Sequence, residues 1–299
     1  MVKISLKYWM LLLLLSVIWG SSFILMKTAM YDSEGHSIFT SNQVATLRIL
    51  IASIALLPFS IYAIRKINLK RDLGYFIIVA LCGNLFPAFL FTYAETGISS
   101  GLAGMLNSTT PIFTIIIALV IFRDKMSMRQ FSGAFIGSIG IGILVYFGKK
   151  NSLDGEWIHI ISVICATLCY AISLSVIRYK LGHYKSLDIA SIAFLLLLIP
   201  SIFLFFTAHT LEAFENTQEV KNGFMAILVL SLVGTALALF IFNTIIKNTS
   251  ALFASSVTYF IPIVAVIIGI FFNEHINLAQ ITGMAVALSG VFIANSKMQ

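Results

Sequence analysis

Polar residues recur at helical spacing inside two strongly apolar stretches of the chain, where they could hydrogen-bond a small polar solute. In the stretch 98–122 one face carries Ser100, Gly104, Asn107, Ser108 and Pro111. The stretch 250–272 repeats that face with Ala251, Ser255, Thr258, Tyr259 and Pro262. Because polar groups are costly in hydrocarbon unless they pair or face water, each face should meet other helices or a cavity. Close helix packing is the alternative for the smaller residues, and cavity lining is favoured for Asn107, Thr258 and Tyr259.

Two aromatic residues lie near the middle of apolar runs. Trp19 lies about 11 residues into its run, or about 17 Å along a helix, although tryptophan normally prefers the membrane interface. Tyr170 takes the matching place in the second half of the chain. A central indole needs a hydrogen-bond partner, which a cavity or a local contact in a packed core would supply. Asn84 is also central in its run, and its counterpart is Thr235.

A charge inside an apolar run is predicted at Arg48, which lies about six residues or about 9 Å from the end of its run. A charge at such a depth costs up to about 3 kcal/mol. Either Glu95 or a carboxylate of a substrate would satisfy the guanidinium, and pairing with Glu95 is the preferred interpretation. Lys27 and Arg178 lie nearer the ends of their runs, where long basic side chains usually snorkel to the interface.

Nine residues therefore become candidates for substrate contact because each is polar, aromatic or charged and lies within an apolar run. They are Trp19, Ser22, Arg48, Asn84, Asn107, Thr110, Tyr170, Thr258 and Tyr259.

Pro111 and Pro262 are candidates for paired hinges. The chain has only five prolines, and a proline inside a helix frees a carbonyl and kinks the axis. Their matched positions in the two halves favour two symmetric bending points. The alternative is that both are ordinary prolines, which are commoner in spanning helices than in soluble ones.

Catalytic chemistry is not predicted anywhere in the apolar runs. No Ser–His, Asp–Asp or His–Glu arrangement occurs within them, so the nucleophile and base of a membrane enzyme are missing. Cys165 and Cys169 would share a helix face, but no His or Asp accompanies them, and we predict no metal site and no cofactor. A sensor or scaffold would usually add a soluble domain, for which the chain leaves no room.

Ten apolar helices position these residues. A spanning helix needs about 20 mostly apolar residues, and the chain has a hydrophobic fraction of 59%, a charged fraction of 10% and a mean hydropathy of +1.00. The predicted helices are Tyr8–Met30, Asn42–Ile64, Leu73–Ala94, Ile98–Phe122, Arg129–Phe147, Trp157–Arg178, Leu187–Thr207, Gly223–Ile246, Ser250–Phe272 and Asn277–Ala294.

The ten helices fall into two copies of one unit. At a separation of 151 positions Trp19 aligns with Tyr170 and Pro111 with Pro262; at 150, after one deletion, Asp124 aligns with Glu274. Because each copy has an odd number of helices, the second must enter the membrane from the opposite side. We therefore predict an all-α membrane protein in which two inverted five-helix repeats, residues 1–148 and 149–299, surround a central cavity.

Charges predict the orientation. The basic residues concentrate at one set of helix ends, from Lys3 and Lys7 to Arg178, Lys180 and Lys247, and the acidic residues concentrate at the other. Because basic residues are retained on the cytoplasmic side, both termini are predicted to be cytoplasmic, in the inner membrane of a cell. The net charge of +7 is dispersed among loops without a basic patch, so nucleic acid is not an expected partner.

The duplicated motifs resemble the drug/metabolite transporter superfamily, and specifically its ten-span EamA-type members. The first copy opens with the segment WGSSF, residues 19–23, followed by Lys27. The most recognisable stretch is GNLFPAFLFTYAETGISSGLAGMLNSTTPIFTIIIALVIFRD, residues 83–124, which returns as GTALALFIFNTIIKNTSALFASSVTYFIPIVAVIIGIFFNE at 234–274. This chain departs from the usual pattern with Asp124 where the family has Glu, with Pro87, and with Tyr170 where Trp is common. The resemblance covers nearly the whole chain.

The resemblance implies a secondary transporter that moves small organic metabolites by alternating access, with export of amino acids or similar zwitterions as the first expectation. Uptake or exchange of nucleoside-type, sugar-linked or lipid-linked metabolites is the alternative, and a membrane enzyme or sensor is a remote third. Its partners would be a small-molecule substrate and the lipid bilayer; a monomer is the working assumption. Every Asp and Glu falls in a loop or at a helix end, so we expect no buried carboxylate and favour facilitated or exchange transport over acid-driven coupling. The alternative is a partly buried Glu95 that titrates.

Overall fold

A computed structural model describes residues 5–32, 34–123, 125, 127–149, 157–215, 217–249, 253–254 and 256–295. Within these ranges the chain is helical apart from short links, and no extended strand is present. Eight helices are long and apolar enough to cross a membrane, and two further apolar helices are shorter. The predicted all-α fold of ten membrane helices in two five-helix repeats is thereby confirmed.

We number these helices as spans 1 to 10 in chain order. They are Leu6–Met30, Ser41–Lys66, Lys70–Ala94, Ser100–Val120, Met128–Phe147, Trp157–Leu181, Ser186–Thr207, Gln218–Asn248, Val257–Phe271 and Leu278–Ala294.

Local sequence explains several of the helix starts. Span 2 begins after Thr40, whose hydroxyl accepts the Gln43 N–H while the Gln43 side chain accepts the Thr40 N–H, a reciprocal cap. Asn68 and Thr217 cap spans 3 and 8 more simply, because each provides one side-chain acceptor for a backbone N–H of the first turn. These caps satisfy backbone donors that a helix end would otherwise leave unpaired near the membrane.

Most major helix contacts join one repeat to the other. Span 2 packs along span 7, and span 5 packs along span 10. Span 1 lies against spans 8 and 9, while span 6 lies against spans 3 and 4. This set of contacts maps onto itself when the two halves are exchanged, which is the pattern expected for repeats related by a pseudo-twofold axis.

The two ends of the bundle differ in charge. We call the end with the links 31–40, 95–99, 208–217 and 272–277 the acidic end, and the end with the links 67–69, 121–127 and 182–185 the basic end. At the basic end Asp72 accepts a hydrogen bond from the Tyr184 hydroxyl at 2.7 Å and forms an ion pair with Arg71 at 2.8 Å. Along the sides of the bundle large apolar residues such as Ile199 and Phe203 are exposed, as contact with lipid requires.

Candidate functional site

A small cavity lies between the two repeats. Its space of about 30 Å³ holds about two water molecules and is too small for an amino acid. Three of the predicted contact residues line it, together with four residues that were not among the candidates. The lining consists of Arg48, Ile49, Gly83, Asn84, Tyr170, Phe194 and Thr235.

Spans 3 and 8 each widen into a π-helical turn at the cavity. The turns are Leu81–Leu85 and Leu232–Leu237, and they begin 151 positions apart, at the repeat separation. In the first, the Asn84 side-chain amide donates to the Val79 carbonyl at 3.3 Å; in the second, the Thr235 hydroxyl donates to the Leu230 carbonyl at 3.4 Å. Each bond reaches back five residues. Single π turns inside α-helices often occur at functional sites.

Glycine allows a neighbouring helix to approach each π turn. A Cβ atom at Gly83 would lie 2.5 Å from the Ser173 hydroxyl oxygen of span 6, which is closer than real contacts allow. A Cβ atom at Gly234 would lie 3.4 Å from the Ser22 hydroxyl oxygen of span 1. The same approach is therefore made twice, and it is tighter on the Gly83 side.

Arg48 brings a positive charge to the cavity from span 2. Its Nη1 atom contacts the Met26 sulfur at 3.7 Å, and its guanidinium interacts electrostatically with Tyr170 and Glu95. Among the described residues no carboxylate lies within ion-pair distance of it, so the predicted close pairing with Glu95 is not formed. A guanidinium with free donors in a polar cavity can bind an anionic group through two parallel hydrogen bonds.

Trp19 and Ser22 lie beside the second π turn rather than among the cavity-lining residues. The Trp19 Nε1 atom donates to the Gly234 carbonyl at 3.1 Å, and its ring packs on Phe242 with centroids 5.5 Å apart. The Ser22 hydroxyl donates within its own helix to the Ile18 carbonyl. The indole partner that the sequence required is thus a backbone carbonyl of the π turn.

The polar face of span 4 surrounds an interruption of the helix. The α-helix Ser100–Asn107 ends before Ser108, and a second helix, Thr110–Val120, has Pro111 as its second residue. The Thr110 hydroxyl donates to the Asn107 carbonyl at 2.9 Å. This bond pairs the Thr110 hydroxyl inside the bundle. Neither Asn107 nor Thr110 is among the cavity-lining residues.

Span 9 behaves differently from span 4 at its matching proline. Pro262 is buried inside the continuous helix Val257–Phe271. The Tyr259 hydroxyl donates to the Val291 carbonyl of span 10 at 3.2 Å, and Thr258 is half-buried on the same helix. Ser255, on the predicted face, lies outside the described residues. The proposed hinge prolines therefore occupy unlike backbones in this conformation.

At the acidic end, Glu274 joins the two repeats. Its Oε1 atom lies 3.3 Å from the Lys27 ammonium and accepts the Ser100 N–H at 2.8 Å, while Oε2 accepts the Gly101 N–H at 2.9 Å. We call these four residues the clamp. Lys27 therefore forms an ion pair with a carboxylate of the other repeat, a partner that the sequence did not predict. Asp124, the counterpart of Glu274, lies outside the described residues.

A second carboxylate beside the clamp corrects the expectation that none is buried. Glu95, directly after span 3, is only 1% exposed, and its Oε2 atom accepts the Ser100 hydroxyl at 3.2 Å. The link 95–99 folds inward between helices, so a position that looks like a loop in the sequence is covered. Within the described residues no group of His, Cys, Asp and Glu could hold a metal ion.

Comparison with known proteins identifies the fold and its relatives. The profile of the EamA-like transporter family matches residues 6–146 and again 157–296. The transporter YoaV of Bacillus subtilis (strain 168), which its name describes as uncharacterized, is 23% identical over 93% of this chain and 93% of its own length. A probable amino-acid metabolite efflux pump of Salmonella typhimurium is 22% identical over 95% of this chain and 93% of its own.

Two further comparisons cover nearly the full length. A probable terminal-alkyne amino-acid exporter of Streptantibioticus cattleyicolor is 23% identical over 99% of this chain and 95% of its own. One solved crystal structure superposes with a TM-score of 0.58 over 96% of both chains at 14% identity, and at that identity the likeness concerns the fold alone.

Proposed function

The chain belongs to the EamA-like transporter family, and we propose that it moves amino acids or similar zwitterions out of the cell by alternating access. The family makes it a multi-span membrane transporter and not an enzyme. The substrate class, the direction and the mechanism are the proposed part.

The observation that carries the proposal is Arg48 in the cavity between the repeats. Its guanidinium has no ion pair among the described residues, yet it lies on the same cavity as Tyr170 and Asn84. A substrate carboxylate would satisfy the guanidinium in a bidentate geometry, as Arg does with planar anions. The Asn84 side-chain oxygen and the Tyr170 hydroxyl could accept hydrogen bonds from a substrate ammonium. One cation with neutral polar groups suits a zwitterion better than a multiply phosphorylated metabolite.

Alternating access accounts for the mismatch between the cavity and such a substrate. Because the cavity holds about two waters, an amino acid can enter only if the helices separate. The clamp ties spans 1 and 4 to Glu274, in the link after span 9 at the acidic end, and opening that end would break its bonds. The relatives named as amino-acid metabolite efflux pumps support the substrate class and the direction.

A binding and efflux experiment tests the substrate class. The purified protein would be screened by thermal shift against amino acids, nucleosides and sugar phosphates, since a ligand that binds the folded state raises its melting temperature. Proteoliposomes loaded with labelled hits would then be assayed for efflux and for uptake. We expect amino acids to stabilise the parent, and stabilisation by nucleosides or sugar phosphates alone would refute the proposal.

Arg48 variants test the role of the cation. Arg48→Leu removes a charge-assisted contact that contributes about 1.5–3 kcal/mol, so amino-acid affinity should fall by about tenfold or more. Arg48→Lys should recover only part of it because the planar fork is lost. Asn107→Ala is the matched control within the polar face of span 4. An equal loss of affinity in Asn107→Ala and Arg48→Leu would contradict the assignment of the site to the cavity.

The orientation is proposed from the charges of the two ends. Because the basic end should stay in the cytoplasm, both termini are proposed to be cytoplasmic and the acidic end to face outward. Fusing a reporter that is active only in the cytoplasm to the carboxyl terminus, and a periplasm-active reporter in a parallel strain, would test this. If only the periplasm-active fusion were active, the carboxyl terminus would lie outside the cytoplasm, and both the proposed orientation and the proposed direction of transport would be wrong.

A further inference from the structure

Glu95 is a buried carboxylate that the proposed substrate site does not use. It is 1% exposed, and its Oε1 atom has no hydrogen-bond partner among the described residues. Its Oε2 atom receives one bond, from the Ser100 hydroxyl at 3.2 Å. A carboxylate that is removed from water with so few donors is costly, whereas the neutral acid is far less so.

The charged residues that the structure describes near Glu95 form no direct ion pair with it. Lys27, Glu274 and Arg48 all interact with it electrostatically, but the Lys27 ammonium lies 3.3 Å from Glu274, and no described residue forms an ion pair with Glu95. The nearby Glu274 carboxylate opposes a second negative charge. The closed conformation therefore favours the proton-bound form of Glu95.

Two histidines and one tyrosine are further titratable groups at this end of the bundle. On span 6, His159 has its Nδ1 atom 3.3 Å from the Tyr93 carbonyl, and its ring packs near Gly97, two residues after Glu95. The Tyr93 side chain stacks against that ring with centroids 5.1 Å apart. His275 follows Glu274 and is exposed. A His159 variant is therefore the control for a Glu95 variant.

Ser100 connects Glu95 to the clamp. Its hydroxyl donates to Glu95 while its backbone N–H donates to Glu274 at 2.8 Å. The space for the Glu274 carboxylate depends on Gly269, where a Cβ atom would lie 2.6 Å from Oε2. A movement of span 4 away from Glu274 would therefore break the clamp, pull Ser100 from Glu95 and admit water to the Glu95 carboxylate.

We propose that Glu95 is a proton-binding site and that proton occupancy holds the acidic end closed. When the end is closed, Glu95 is buried and the neutral acid is favoured; when it is open, the carboxylate is hydrated and ionised. Because the closed conformation binds the proton more tightly, a low pH stabilises it, and this stabilisation is lost as the pH rises. The inference requires the opening of the acidic end contained in the proposed function, but it does not require an amino-acid substrate.

Hydrogen exchange at the start of span 4 measures the clamp directly, because the Ser100 and Gly101 amides are its donors. Exchange of the peptide covering residues 97–106 would be followed by mass spectrometry from acidic to mildly alkaline pH, without substrate, and corrected for the intrinsic rate with an unfolded reference. In the parent, we expect the opening constant to rise with pH by at most about tenfold per pH unit, the limit for one proton.

Glu95→Gln keeps the shape of the side chain and stays neutral, so its span 4 amides should remain protected at every pH. His159→Gln is the matched control and should retain the pH dependence of the parent. If Glu95→Gln kept that dependence, or if His159→Gln abolished it, the proposal would be overturned.

Ser100→Ala provides a second test that does not depend on the folding of Glu95→Gln. It removes the hydroxyl that donates to Glu95 and favours its ionised form, but leaves the backbone amide bound to Glu274, so the midpoint of the pH profile should move to higher pH. An unchanged midpoint would contradict the proposal. Because no substrate is present, these results stand apart from those of the amino-acid screen.

Discussion

The two π turns have the same backbone and different surroundings. In both, a polar side chain bonds to the carbonyl five residues earlier, as Asn84 and Thr235 show. Around the second turn, Trp19 binds the Gly234 carbonyl, and Thr235 lines the same cavity as Arg48. Around the first turn, Tyr170 lines the cavity close to the Arg48 charge. Span 7, the partner of span 2 across the cavity, has no Lys or Arg.

The backbone of the two turns follows the symmetry of the repeats, whereas their surrounding side chains do not. A duplicated backbone can supply a cavity and two matching helix approaches, because both copies obey the same packing rules. A zwitterion has two unlike ends and is recognised by unlike groups. The unequal side chains on the two turns are therefore where we expect selectivity to lie, and the following variants test each part of that comparison.

The largest difference is expected from alanine at the two glycines. Gly83→Ala places a Cβ atom against Ser173 and should lower the free energy of unfolding by about 1–3 kcal/mol, the usual range for overpacking. Gly234→Ala meets Ser22 only at contact distance and should change it by less. Thermal melting in detergent would measure both. Adding Ser173→Ala should recover part of the Gly83→Ala loss, and a double variant no more stable than Gly83→Ala would show that the clash lies elsewhere.

The paired aromatic residues should separate stability from binding. Trp19→Phe removes the bond to the Gly234 carbonyl and should reduce the free energy of unfolding by about 1 kcal/mol, since the cavity beside Thr235 offers that carbonyl a water. Tyr170→Phe should leave ligand-free melting nearly unchanged and weaken the stabilisation by amino acids. Melting curves with and without ligand distinguish the two. If Trp19→Phe weakened the stabilisation by amino acids and Tyr170→Phe lowered the ligand-free melting temperature, the substrate would bind beside Trp19 instead.

Exchanging the polar residues of the two turns should have a smaller effect on stability. Asn84→Thr with Thr235→Asn keeps one side-chain donor in each turn, so the free energy of unfolding should change by less than about 1 kcal/mol. Amino-acid affinity should change more, because Asn84 and Thr235 line one cavity with Arg48 and the amide and the hydroxyl would exchange places there. Parallel melting and binding measurements would decide. Unchanged affinity would mean that the turns are interchangeable for the substrate.

The first turn has a pair of neighbouring thiols that the second turn lacks. Linking these thiols should have almost no effect on the free energy of unfolding. The Cys82 and Cys169 thiols of spans 3 and 6 are close enough to interact electrostatically, while the matching positions, Val233 and Ile18, have no sulfur. Mercuric ion should bridge the two thiols. With a protease site introduced between Lys149 and Trp157, the two halves should remain joined on a denaturing gel after cleavage. Separation of the halves would show that spans 3 and 6 are not in this contact.

Much of the fold could be predicted because its causes are local. Long apolar runs specify membrane helices whatever their neighbours, and the duplication of Pro111 and Pro262 and the order of the motifs indicated the two repeats. The site was harder to predict. Arg48, Asn84 and Tyr170 were found as polar or charged residues in apolar runs, but the same reasoning selected Tyr259, whose hydroxyl is satisfied by the Val291 carbonyl. A polar side chain in a span can face a cavity or a neighbouring backbone, and the spacing of polar residues along the sequence does not distinguish these two environments.

The sequence by itself determined the class of protein, the helices and the separation of charges between the two ends, since hydropathy and charge act residue by residue. Only the tertiary structure decided that both π turns lie on one cavity, that Lys27 pairs with Glu274, and that Glu95 is buried. These features join residues that are far apart in the chain, and each depends on how closely two helices approach. Ser100, which contacts both carboxylates, has no sign of that role in its local sequence.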